Sequence, residues 1–80
     1  MAHYFFDFIT DGKLDSDEEG MVLPNLNAAR LEAWGTLANV ARDTIRKGSF
    51  SNSIISVRTV DGPAFDTAFQ WSSTDAVQDG

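Results

Sequence analysis

Polar and apolar positions alternate at the start of the chain, with Tyr4, Phe6 and Phe8 on one side of a period-2 pattern and His3, Phe5, Asp7 and Ile9 on the other. That period, carried by aromatic residues suited to a pleated surface, predicts a strand with Tyr4, Phe6 and Phe8 on the core face. Thr10-Asp11-Gly12 supplies turn chemistry, and Lys13 to Gly20 is too charged to bury, so a solvated loop is expected there. Met21-Val22-Leu23 reads as a short returning strand closed by Pro24, which cannot donate to a ladder.

The pattern then changes period. Leu26, Ala29, Ala33, Leu37, Val40, Ala41 and Ile45 gather on one side at 100° per residue, with Leu31 and Trp34 at its border. Asn25 is placed to cap the first turn; Arg42, Arg46 and Lys47 crowd the last turn, and Gly48 stands where a left-handed C-cap is wanted. A helix over about 26–47 follows. Beyond the linker 49–52, the runs 53–60 and 64–71 flank Asp61-Gly62-Pro63 and predict a hairpin. A three-residue connection, setting Ile55 against Phe69 and Val57 against Thr67, gives one apolar face, whereas a one-residue slip mixes the faces.

The order strand, short strand, helix, strand, strand implies an α+β domain of two layers, one amphipathic helix on an antiparallel sheet. It should span 1–71 as a single domain, with 72–80 a frayed tail. One helix covers one face. The other would show Phe5, Ile9, Ile54, Val60, Ala64 and Ala68, more apolar than a solvated face requires, and such patches tend to mark interaction surfaces.

Composition narrows the function classes. Eighty residues leave no room for a cofactor lobe beside a substrate lobe, and the absence of cysteine excludes a disulfide framework, a thiolate metal site and a Cys nucleophile. A small domain without staples is at home in a reducing compartment, so the cytoplasm is expected. No stretch approaches the ~18 apolar residues of a membrane span, and the start lacks a signal-peptide pattern. Twelve acids against six Lys plus Arg, a net charge of -6, argue against nucleic acid as partner. The charge is uneven: residues 7–20 hold six acids and one Lys, whereas the helix is slightly basic.

Candidate chemistry is sparse. The string from Asp7 to Glu18 places acids at positions 1, 5, 9 and 12 and a glycine at 6, approaching a calcium loop, yet Ile9 occupies position 3 and the first ligand sits in a strand pattern rather than at a helix end. The acids of this segment, Asp11, Asp15, Asp17, Glu18 and Glu19, are instead expected to keep a sheet edge soluble, with no metal bound. His3 is the sole histidine, and Asp7, the acid nearest it on its face, is ~13 Å along an extended strand, so no acid–base pair forms. The glycines lack phosphate-cradling spacing. No enzyme, cofactor or small-molecule substrate is indicated. Trp34, Leu31 and Trp71 serve either as core closure or as part of a partner surface, where tryptophan is enriched.

The segments Tyr4-Phe5-Phe6-Asp7, Asp11-Gly12, Asp17-Glu18-Glu19-Gly20 and Leu23-Pro24-Asn25-Leu26 with Ala28-Ala29-Arg30 resemble a family of small alphaproteobacterial proteins described as a domain of unknown function. The resemblance runs from about Tyr4 to Phe69; Asn25 replaces the usual acidic N-cap, and His3 a residue that is often basic. It implies no catalytic residue. A fainter similarity, to partial ribonuclease-H-like antitoxins of the HicB type, implies a cover for a toxin's active site, usually beside a DNA-binding segment that is not seen after Trp71. These readings converge on a non-enzymatic interaction domain, expected as a homodimer through the helix-free face at Phe5, Ile9, Ile54, Val60 and Ala68. An acidic regulator of a partner protein and a calcium-dependent module are the alternatives.

Overall fold

The computed structural model describes residues 1–48 and 52–70. Its elements are β1 (Ala2–Thr10), β2 (Lys13–Asp15), β3 (Met21–Leu23), α1 (Leu26–Lys47), β4 (Ser53–Thr59) and β5 (Gly62–Phe69). The α+β class is as expected: one helix lies on one face of an antiparallel sheet of order β2-β1-β4-β5, with β3 also paired to β1. The expected end of the domain at Trp71, and the tail 72–80, lie outside the described residues.

The helix occupies the span its period marks out. Asn25 is extended, and its side chain accepts from the Ala28 N–H at 2.9 Å, supplying one partner that the first turn lacks. At the other end Gly48 takes a left-handed conformation, φ 69°, and its N–H donates to Ile45 O at 3.1 Å. Ala29, Ala33 and Leu37 are buried against Tyr4, Ile55 and Val57, with Phe6, Phe8, Leu23, Phe65 and Phe69 packed around them. Small residues on the helix let its axis approach the sheet, where the aromatic rings of β1 and β5 fill the remaining volume. Ile45, expected on this face, is 49% exposed.

Two expectations are corrected. Lys13–Leu14–Asp15 is a strand rather than loop, pairing Thr10 with Lys13 and Phe8 with Asp15 across a two-residue Asp11–Gly12 turn. Both turn residues have positive φ, 51° and 82°, the primed-turn conformation that matches strand twist. All three residues of β2 are exposed, so a charged sequence pairs there without burial. In the second hairpin the turn is Val60–Asp61, with Thr59 opposite Gly62, and an extra residue at Ala64 restores Val57 to Phe65 and Ile55 to Thr67. The register is thus offset by two from the expected one. Because two is the side-chain period, Ile55, Val57, Phe65 and Phe69 still share the core face.

Candidate functional site

The helix-free face is arranged in cross-strand rows rather than as one apolar patch. At one end Leu14, Ile9, Ile54 and Ala68 stand side by side across four strands. The next row is polar, Asp7, Ser56 and Asp66, with the Ser56 hydroxyl donating to Asp66 at 2.7 Å. Beyond it Phe5 pairs with Arg58. Phe5 is not a bare apolar residue: the Arg58 guanidinium lies 4.6 Å from its ring centroid, and the His3 ring stacks beside it at 4.6 Å and 20°. Val60, expected on this face, sits in the hairpin turn and is 85% exposed, while Ala64 is displaced by the bulge.

Arg58 and the acidic segment form one network. Its Nε donates to Asp7 Oδ2 at 2.8 Å, and Nη2 reaches Asp7 Oδ1 at 3.3 Å and Asp17 O at 2.8 Å. Asp7 Oδ1 also accepts from the Asp17 N–H at 2.9 Å and from the Ser16 hydroxyl at 3.3 Å. The Asp17 carboxylate accepts from three backbone N–H groups, Phe6 at 3.0 Å, Gly20 at 3.1 Å and Glu19 at 3.2 Å. His3 Nε2 donates to Glu19 O at 2.7 Å. The Arg58 hydrogen bond holds the Asp7 carboxyl below its ordinary value, and the Phe6 N–H, followed by that of Gly20, does the same for Asp17. Asp7 in turn pushes Arg58 up.

This network is a structural clasp. It ties residues 16–20 to the sheet, so the segment is not the free solvated loop expected, and Asp17, with Asp7 of β1, is committed to the network. Asp11, Asp15, Glu18 and Glu19 remain at the surface; the Asp11 carboxylate accepts from the Asn52 N–H at 3.3 Å. Asp7 lies in β1 and is committed to Arg58, so the calcium-loop spacing is not realised as a loop leaving a helix. Among the described residues no group of three or more His, Cys, Asp or Glu side chains is placed to hold a metal ion. A depression of about 340 Å³ beside β2 is lined by Phe8, Thr10, Lys13, Leu14 and Asp15.

A more continuous apolar surface lies on the flank of α1. Leu31, Trp34, Ala38, Ala41 and Ile45 follow one another at intervals of 3, 4, 3 and 4, the spacing of a packing seam about 120° round the helix from Ala29, Ala33 and Leu37. Leu31 is 58% and Trp34 51% exposed. Arg30, lying between the two stripes, places its guanidinium 5.7 Å from the centroid of the Phe65 ring. The seam therefore looks toward β5, which among the described residues pairs only with β4. Polar residues Glu32, Thr36, Asn39 and Asp43 take the opposite flank. Leu31 and Trp34, expected only at the border of the core face, belong to this seam, and the 3-4 spacing running to Ile45 is the signal in the sequence that marks it. Trp71 lies outside the described residues.

The fold is thus that of a small α+β domain, helix on sheet, with an acidic clasp at one edge and at the other a strand that, among the described residues, has one partner. The chain belongs to the family described as a domain of unknown function, DUF6894, whose model matches residues 3–69. Neither the curated proteins nor the solved structures contain a match. Among the described residues no helix is long and apolar enough to cross a membrane.

Proposed function

We propose that this domain is a non-enzymatic protein–protein interaction module that docks through the α1 flank at Leu31, Trp34 and Ile45. The observation that carries the reading is that these three large side chains, each about half exposed, form one stripe on a helix whose core face is already satisfied by Ala29, Ala33 and Leu37. Exposed tryptophan and leucine in register are more costly than a solvated helix needs, and tryptophan anchors interfaces disproportionately. The helix-free row Leu14, Ile9, Ile54 and Ala68 is the lesser candidate, because Ile9 and Ile54 are already half-buried and the adjoining rows are charged. The absence of cysteine suits a cytoplasmic setting, and the net charge of -6 favours a protein partner over nucleic acid.

The acidic-regulator alternative draws on Asp11, Asp15, Glu18 and Glu19 and is weakened by the inward commitment of Asp7 and Asp17. A photo-crosslinking amino acid placed at Trp34 in the producing cell separates these readings. A discrete covalent adduct at position 34, and none at Asn39 on the opposite flank, supports docking through the stripe. No adduct at position 34 contradicts it.

A further inference from the structure

We infer that the partner of this surface is a second copy of the chain, joined through antiparallel pairing of β5 with β5 and packing of the two α1 flanks. This rests on the reading of the flank as a docking surface and names its occupant.

The two edges of the sheet differ in kind. The β2/β3 edge is made of two three-residue strands separated by a clasp, and it carries Lys13, Asp15, Glu18 and Glu19. Short strands and charges are how proteins block edge pairing. The β5 edge is eight residues long; Pro63 and the bulge at Ala64 confine further pairing to Phe65–Phe69, and its single charged side chain, Asp66, is hydrogen-bonded to Ser56. Its outer row of backbone groups has no strand partner among the described residues. Six of the twelve acids lie in residues 7–20, on the side of β1 away from β5, whereas β5 itself brings only Asp66 to a contact between two copies.

The distances agree with a two-fold. The helix packs chiefly on β4 and β5 and less on β3, so over most of its length its axis projects between β4 and β5. Strands are about 4.8 Å apart, which places that axis about 5 Å from a two-fold midway between β5 and its copy and the two helices about 10 Å apart, within the range of packed helices with small residues at the contact. A two-fold through Thr67 sets Phe65 against Phe69 of the copy and Asp66 against Ala68, so no like charges face each other. Arg30 lies over Phe65, and the helix runs toward the end of the sheet where Ser53 pairs with Phe69. Two strand residues past Phe65 is about 7 Å, or four to five helical residues past Arg30. The axis then meets α1 at Trp34–Gly35, which sets Leu31 of one copy level with Ala38 of the other, a large side chain against a small one on two self-complementary flanks, with the two Trp34 side chains beside the axis.

The absence of cysteine gives a clean test. Residues facing each other across antiparallel strands have Cα atoms about 4.5–5.5 Å apart, within reach of a disulfide. Under mild oxidation, Thr67→Cys chains should form covalent dimers at least tenfold faster than Lys13→Cys chains, and added Trp34→Glu should remove the difference. Equal rates at β5 and β2 overturn self-pairing. If the probe at Trp34 nevertheless yields an adduct heavier or lighter than two chains, the docking surface stands and only the identity of the occupant falls; no adduct removes both.

Discussion

The Asp17 carboxylate substitutes for a missing strand residue: its Oδ2 accepts from the Phe6 backbone N–H at 3.0 Å. On that edge of β1, residues 2–4 are paired by β3 and residues 8–10 by β2, which leaves the middle of the strand open. One side chain closes the gap and at the same time turns the chain from β2 into β3 by accepting from Glu19 and Gly20. Asp17→Ala strands three backbone N–H groups, and at about 1 kcal/mol or more for each lost charged hydrogen bond, with water replacing part of it, the cost should be about 2–3 kcal/mol. Asp17→Asn, which keeps an acceptor oxygen, should cost less. Urea denaturation measures both, and amide exchange at Phe6 should accelerate with the loss of protection.

Acid should open the same clasp. Asp7 and Asp17 both have folded-state values below the ordinary 3.8, so their contribution to stability is present above that pH and is lost as pH falls through the folded values. The urea midpoint should therefore be insensitive to these groups between pH 5 and 7 and fall below pH 4. In the Asp7→Asn, Asp17→Asn double variant the acid-induced fall should be shallower from a lower starting stability. An unchanged pH profile in that variant contradicts the assignment.

Gly20 is fixed by two independent constraints. Its φ is 70°, and an added Cβ would lie 2.6 Å from His3 Nε2 and 2.8 Å from Tyr4 O. The imidazole can move, but the Tyr4 carbonyl belongs to β1 and cannot. Gly20→Ala should cost more than the ~1 kcal/mol of a strained φ alone, and His3→Ala added to it should recover only part of the loss. Thermal denaturation of the three variants checks this; full rescue by His3→Ala would show that the backbone contact is immaterial.

The two helix stripes make opposite predictions for similar substitutions. Leu37 is buried between β4 and the aromatic ring set, and Leu37→Ala should destabilise by about 2–4 kcal/mol. Leu31→Ala on the flank should change the stability of the isolated chain, at a dilution where it is monomeric, by less than about 1 kcal/mol. Equal costs would make Leu31 a core residue.

What the sequence revealed and what it hid follow from range. The helix was legible to the residue because its signals, Asn25, the 3.6 period and Gly48, act within one turn of where they stand. The core faces of β1, β4 and β5 were legible from period 2, even though the hairpin register was misjudged by two, since the Ala64 bulge leaves parity intact. β2 was hidden because Lys13, Leu14 and Asp15 pair through their backbone while remaining exposed, so no burial pattern marks them. The clasp was hidden because Arg58 and Asp7 lie 51 positions apart, and charge in a segment says nothing about which carboxylate turns inward. Phe5 looked like surplus apolar surface until Arg58, from the neighbouring strand, was placed over it.

Self-association through β5 and the α1 flank is most directly tested by sedimentation equilibrium over a micromolar to high-micromolar range. The chain should show a mass rising to twice that of a single copy, and the Leu31→Glu, Trp34→Glu variant, still folded by circular dichroism, should remain at the mass of one. A parent chain that stays monomeric at the highest concentration would contradict the account.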